Sequence, residues 1–260
     1  MNCNKLDNLR KLNIDDCGLL AACHGSTLKI FIGDKQKELR LVKTIHEICD
    51  RYDWVEDIVF TYDNKYLIVG CHTGAIKLVD TQTLQIKNFR KIGLNEWWLM
   101  SIKLDAKALF VGYSDGFFRQ FDIQKQKLIK NYGQIYEDAV KEILITADGK
   151  YLFLANTQCH LKQFDIKQQK SIKDYGQVAN DKNWSMTVTN DSQYLFIGSL
   201  ANLKQFDIKK QKLIKNYQFE AMCMAITTDS KYLFIFNGRN ITRINVQKLN
   251  DFKNYLEVTE

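Results

Sequence analysis

Proline is absent from all 260 residues, where ordinary usage of about 5% would supply roughly thirteen. Chain reversals must therefore rest on Gly, Asp, Asn and Ser. Catalytic signatures are missing as well. There is no Gly-x-Gly-x-x-Gly, no Gly-x-x-x-x-Gly-Lys-Ser/Thr, no His-Glu-x-x-His and no Gly-x-Ser-x-Gly elbow, which argues against nucleotide-binding loops, zinc proteases and serine hydrolases. The start, Met1-Asn2-Cys3-Asn4-Lys5, lacks the apolar core of a signal peptide, and no apolar run has the length of a membrane helix. The expectation is a soluble cytoplasmic protein with no membrane span, with cytoskeletal or nuclear association left open.

Seven cysteines (Cys3, Cys17, Cys23, Cys49, Cys71, Cys159 and Cys223) make an odd count without a Cys-x-x-Cys pair. Neither a disulfide framework nor a zinc ribbon is indicated, and reduced thiols are expected. Three histidines directly follow cysteine, at Cys23-His24, Cys71-His72 and Cys159-His160. A soft metal site is one reading. The other is a small buried Cys ending a strand, with the His capping the next turn. Because the register of the third pair differs from that of the second, the second reading is preferred, and no metal or cofactor is expected.

What the chain does contain is a period. Leu78-Val79-Asp80, Phe121-Asp122-Ile123, Phe164-Asp165-Ile166 and Phe206-Asp207-Ile208 place their aspartates 42, 43 and 42 residues apart (122−80, 165−122, 207−165). A period in the low forties marks a blade array. Each unit also carries an aspartate turn: Asp63-Asn64-Lys65, Asp105-Ala106-Lys107, Asp148-Gly149-Lys150, Asp191-Ser192-Gln193 and Asp229-Ser230-Lys231. An alternating segment precedes each turn and a short apolar run follows it, which predicts a hairpin of a first and a second strand. A third strand, such as Leu161–Ile166, and a fourth, such as Leu213–Tyr217, complete four antiparallel strands per repeat.

These features resemble the WD40-repeat family, whose blade reads as a first strand, an aspartate-bearing turn, a second strand, an Asp-Gly turn and a third strand ending in Trp-Asp. Here most units keep the Asp-x-Lys turn, the third keeps Asp115-Gly116, and Trp-Asp becomes Phe-Asp or Val-Asp. The resemblance covers nearly the whole chain. It implies an all-β β-propeller of about six four-stranded blades in one domain, 1–260, with blades near 8–53, 54–96, 97–138, 139–182, 183–220 and 221–260. The alternatives are a seven-bladed ring lacking a blade, or part of a larger propeller chain. Lys253-Asn254-Tyr255 matches Lys215-Asn216-Tyr217, so the last blade is expected to own its outer strand. No Gly-His dipeptide precedes a first strand, so the family's buried His-Asp-Ser/Thr-Trp network cannot form, and stability is expected to lean on hydrophobic packing between blades.

Two groups of residues stand out as candidate sites. Trp54, Trp97, Trp98 and Trp184 fall in loops leading into first strands, and Trp98, Trp184 and Met222 share a register seven residues before the turn aspartates (105−98, 191−184, 229−222). Aromatic clusters of this kind are common interface anchors, although apolar residues here also fill space between blades. The second group is basic. Residues 117–217 hold sixteen basic and ten acidic residues, net +6. Lys125, Lys127, Lys167, Lys170, Lys209, Lys210 and Lys212 crowd the turns between third and fourth strands, predicted to lie at the opposite end of each blade from the tryptophan loops. Such an arc could attract nucleic acid or acidic protein tails, and it could equally keep strand edges soluble. The acids and histidines near the loops (Glu56, Asp57, Glu96, Glu142, His24 and His72) share no register. The expectation is a non-enzymatic protein-interaction scaffold or adaptor subunit of an intracellular complex, with a basic-arc binder and a propeller enzyme or small-ligand binder as alternatives.

Overall fold

The computed structural model describes residues 11–14, 19–33, 39–50, 53–61, 63–89, 99–105, 108–180, 185–227, 229–237 and 240–247, with backbone alone at 11–14, 19–20, 33, 39, 99–100 and 104–105. Its strands form six antiparallel sheets, each a propeller blade. Blade one is Lys11–Ile14 (β1), Leu19–His24 (β2), Thr27–Gly33 (β3) and Leu39–Ile45 (β4); blade two is Val55–Phe60 (β5), Tyr66–Cys71 (β6), Ile76–Asp80 (β7) and Ile86–Asn88 (β8). Blade three is Leu99–Asp105 (β9), Ala108–Tyr113 (β10), Phe117–Asp122 (β11) and Lys127–Gln134 (β12); blade four is Val140–Ile145 (β13), Tyr151–Asn156 (β14), His160–Asp165 (β15) and Lys170–Gln177 (β16). Blade five is Ser185–Val188 (β17), Tyr194–Gly198 (β18), Leu203–Asp207 (β19) and Lys212–Tyr217 (β20); blade six is Cys223–Ile226 (β21), Tyr232–Phe236 (β22) and Ile241–Asn245 (β23). The expected outer strand of blade six, at 253–255, lies outside the described residues. Among the described residues no helix is long and apolar enough to cross a membrane.

By contact density the chain divides into two compact units, residues 1–143 and 144–260, parting within β13. In the first unit one apolar cluster joins blades one and two through Ala21, Leu28, Ile58, Leu67 and Val69. A second joins blades two and three through Ile68, Leu109, Val111 and Phe121. In the second unit Phe153, Leu161, Leu195 and Ile197 join blades four and five, and Phe196, Leu203, Leu233 and Ile235 join blades five and six. The second strands of blades two to five are buried on both faces, as in Ala108–Tyr113, which is why they read as unbroken apolar runs.

Close approach sets one position in this packing. A Cβ on Gly112 would collide with Val140, and one on Gly198 with the Ala221 carbonyl, because the chain leading into the next blade crosses there. Any side chain beyond hydrogen would push the neighbouring blade outward.

The aspartate turns form as expected. Thr61, Thr146, Thr189 and Thr227 each donate a hydroxyl hydrogen bond to the aspartate two residues on, at 2.6, 2.5, 2.5 and 2.5 Å. The same hydroxyls accept the amides of Tyr66, Tyr151, Tyr194 and Tyr232. The residue after the aspartate takes a left-handed φ of 53° at Asn64, 65° at Gly149, 58° at Ser192 and 57° at Ser230, which explains the preference for Asn, Gly and Ser there. The Thr61 hydroxyl and the Lys65 amide hold the Asp63 carboxyl below its ordinary value. At Asp148 burial pushes upward, but the Thr146 hydroxyl and Lys150 amide outweigh it.

The repeated Phe-Asp motif has a separate cause. Asp122, Asp165 and Asp207 accept the amides of Lys125, Gln168 and Lys210 at 2.8, 2.7 and 2.7 Å, and so cap the turns into the fourth strands. Each turn closes through Gln126, Gln169 or Gln211 in the left-handed region, at φ 50°, 52° and 55°.

Beside the apolar packing between blades, a polar tie recurs within them. Tyr132, Tyr175 and Tyr217 donate to the Oε1 atoms of Gln120, Gln163 and Gln205 at 3.1, 2.7 and 2.9 Å, tying the fourth strand of three blades to the buried third. Burial raises all three phenols, Tyr132 to about 12. Paired partners satisfy what would otherwise be isolated polar groups in an apolar setting.

The outer strands carry a second repeated device. Between Ile30 and Phe31, Gln120 and Phe121, Gln163 and Phe164, and Gln205 and Phe206 the register slips by one residue. Val42, Ile129, Ile172 and Ile214 are thereby left as β-bulges.

Candidate interaction site

Only part of the predicted aromatic group lies among the described residues: Trp54 and Met222 do, while Trp97, Trp98 and Trp184 lie outside them. Trp54 immediately precedes β5 and is half-buried. Its indole stacks on the His72 ring with centroids 3.9 Å apart and planes 24° apart. Glu56 fastens both rings, since one carboxylate oxygen accepts Trp54 Nε1 at 2.6 Å and contacts His72 Nδ1 at 2.8 Å. His72 forms the floor of an indole plate.

The backbone beneath this plate is tied down from several sides. Buried Asp53 accepts the Trp54 amide at 2.8 Å, the Thr73 amide at 3.1 Å and the Thr73 hydroxyl at 2.6 Å. The His72 amide donates to the Trp54 carbonyl at 2.8 Å. Cys49 and Cys71 form a disulfide with Cα atoms 5.9 Å apart, which corrects the expectation that all cysteines are reduced. The sulfurs and a carboxylate oxygen of Asp53 lie within 4.8 Å of one another. Oxidised sulfurs are poor ligands and Asp53 already accepts three hydrogen bonds, so the group acts here as a staple.

Two of the acids weighed as catalytic candidates, Asp57 and Glu56, have structural partners, while Glu96 lies outside the described residues. Asp57 is buried on β5 and accepts the Ile102 amide at 2.9 Å and the Ser101 hydroxyl at 3.4 Å, clasping β9 of the next blade. Glu56 holds the indole plate, and His24 is exposed.

In the second unit Met222 is half-buried just before β21, its amide donating to Phe236 at 2.9 Å. A cleft of about 630 Å³ between the turns of blades five and six is lined by Asp191, Gln193, Tyr194, Asp229 and Lys231. Asp191 and Asp229 each accept a threonine hydroxyl and a backbone amide at their own turns. Of the basic group, Lys125, Lys127, Lys167, Lys170, Lys209, Lys210 and Lys212 are all exposed. Lys210 reaches the Asp207 carboxylate at 3.6 Å.

Six successive antiparallel sheets, packed blade on blade within each unit, are those of a β-propeller. Comparison with solved structures agrees. The chain is similar to one in the crystal structure of a mitotic checkpoint complex, with a TM-score of 0.76 over 91% of this chain and 75% of that one, at 13% identity. At such identity the likeness concerns the fold. No family model matches the chain, and neither does any curated protein.

Proposed function

We propose that this propeller is a non-enzymatic interaction scaffold, an adaptor subunit of an intracellular complex that holds protein partners on preformed surfaces. The observation that carries the reading is the Trp54 plate. An indole fixed by Glu56 and His72 over a stapled backbone loses little freedom on binding, which is what an interface anchor requires. The partnered state of Asp53, Glu56 and Asp57 supports a non-catalytic role, and the likeness to a chain from a multi-protein assembly is consistent with it. Folds of this kind host many functions, so the weight rests on the site.

A second reading is favoured by the seven exposed turn lysines, which could hold acidic protein tails or nucleic acid by salt-sensitive attraction. The two separate in one experiment: affinity purification of the tagged protein with mass spectrometry, with and without nuclease, at two salt concentrations, beside a folded Trp54→Ala variant. Partners that survive nuclease and salt and vanish in the variant establish the aromatic scaffold. Partners lost to nuclease or salt alone, and kept by the variant, establish the basic arc.

A further inference from the structure

Three donors of the kind that bind thiophilic metals meet beneath the Trp54 plate. The sulfurs of Cys49 and Cys71 and a carboxylate oxygen of Asp53 lie within 4.8 Å of one another, and the three residues are only 2%, 0% and 6% exposed. Backbone hydrogen bonds hold them from two sides. Cys71 ends β6, pairs with Val55 on β5 and donates its amide to the Ala75 carbonyl at 2.8 Å. On the other side the Asp53 amide donates to the Asp50 carbonyl at 3.0 Å, and the amide of Ile48, next to Cys49, donates to Ser26 at 3.0 Å. None of these bonds passes through the sulfurs, so none is lost when the disulfide opens.

The hydrogen bonds on Asp53 orient it without exhausting it. Its Oδ1 accepts the Trp54 and Thr73 amides, while among the described residues its Oδ2 accepts only the Thr73 hydroxyl, so Oδ2 keeps a lone pair. Donors fixed behind a carboxylate in this way are what hold a metal ligand in position. On a tetrahedral zinc ion two thiolates stand about 3.8 Å apart, with a carboxylate oxygen about 3.6 Å from each. Cα atoms 5.9 Å apart leave room for that spacing. Two thiolates disfavour the hard ions calcium and magnesium, and the carboxylate sets the group apart from the all-sulfur sites that suit copper(I).

We propose that the reduced chain binds one zinc(II) ion through Cys49, Cys71 and Asp53, with water in the fourth position, and that the disulfide is the metal-free state of the same site. A protein or small-molecule dithiol is the reductant. It passes two electrons and two protons to the Cys49–Cys71 bond, leaving two thiols, and itself becomes a disulfide. Zinc then displaces one proton from each thiol to solvent as the two Zn–S bonds form, and the Asp53 carboxylate adds the third bond. Cys71 precedes His72 and Asp53 precedes Trp54, so the ion joins the supports of the indole plate under reducing conditions as the disulfide does under oxidising ones. The site is independent of what Trp54 binds.

The test uses the full chain, reduced with dithiothreitol, desalted without oxygen and titrated with cobalt(II), whose sulfur-to-metal and tetrahedral absorption bands report the ligands; zinc(II) is then added in competition. The reduced wild type is expected to take up one equivalent more cobalt than a Cys49→Ser/Cys71→Ser protein, and zinc should bleach those bands. The oxidised chain should show no such difference. Thr73→Val, which removes the hydroxyl behind Asp53, should keep the bands and weaken zinc about tenfold or more. Thermal unfolding supplies a second readout: zinc should raise the midpoint of the reduced wild type and leave the oxidised protein and the double variant unmoved. Equal uptake by wild type and the double variant would assign the metal to other thiols and overturn the proposal. A reduced chain that takes up no metal overturns it too, and makes the pair a redox staple alone. Zinc affinity unchanged in both Thr73→Val and Asp53→Asn, each with wild-type circular dichroism, removes Asp53 from the ligand set and with it the site as drawn.

Discussion

Replacing Tyr175 with Phe removes one hydroxyl and leaves the shape of the blade intact. In the wild type that hydroxyl donates to Gln163 Oε1 at 2.7 Å, and Gln163 is 0% exposed with its Nε2 unpartnered among the described residues. The lost bond is worth about 1 kcal/mol net, and stranding a second buried polar atom of the same amide adds about 1 kcal/mol or more, so the expected destabilisation is about 2 kcal/mol. Urea unfolding at pH 7.5, followed by circular dichroism, should show a lower midpoint with an unchanged slope. Adding Gln163→Leu to the variant should recover much of the loss, because removing both partners leaves nothing unsatisfied. The pH dependence has a definite sign. Burial raises the phenol above the roughly 10 of an unfolded chain, so its contribution is complete below pH 10 and disappears as pH climbs from there toward the folded value. The gap between wild type and Tyr175→Phe should narrow above pH 10. A variant within about 0.5 kcal/mol of wild type at pH 7.5, or a gap constant from pH 8 to 11, would refute the reasoning.

Gly198→Ala should destabilise by about 1–3 kcal/mol in the same assay, since the added methyl meets the Ala221 carbonyl. Acid unfolding should be less steep in Thr61→Val: the Thr61 hydroxyl is the main cause of the depressed Asp63 value, and a depressed carboxyl contributes stability above about pH 3.8 that is lost as pH falls through its folded value. Reduction of the Cys49–Cys71 bond, which closes a loop with a sequence separation of 22, should lower stability by about 3 kcal/mol in wild type and leave a Cys49→Ser/Cys71→Ser protein unmoved, measured by thermal unfolding with and without dithiothreitol.

The fold was legible because its turns need particular residues. Asp122, Asp165 and Asp207 recur since each caps a turn, and Thr189 with Asp191 recurs since the pair closes a hairpin. The Tyr–Gln ties left a readable trace that registering on aspartates passed over: a Gln two residues before each capping Asp and a Tyr twelve residues after that Gln (132−120, 175−163, 217−205). The disulfide left none, because Cys49 and Cys71 belong to no spacing motif and meet only when blades one and two pack. Trp54 was identified by position, but its stacking on His72 depends on where the turn after β6 lands.

The bulges at Val42, Ile129, Ile172 and Ile214 bear on how so many outer strands coexist in crowded solution. A foreign strand approaching β12 or β20 would find its donors and acceptors in step for only a few residues before the inserted residue threw them out of phase. The rim can therefore show leucine and isoleucine to solvent without becoming a seed for fibrils, and a substitution that deleted one inserted residue would convert a harmless border into a template for aggregation.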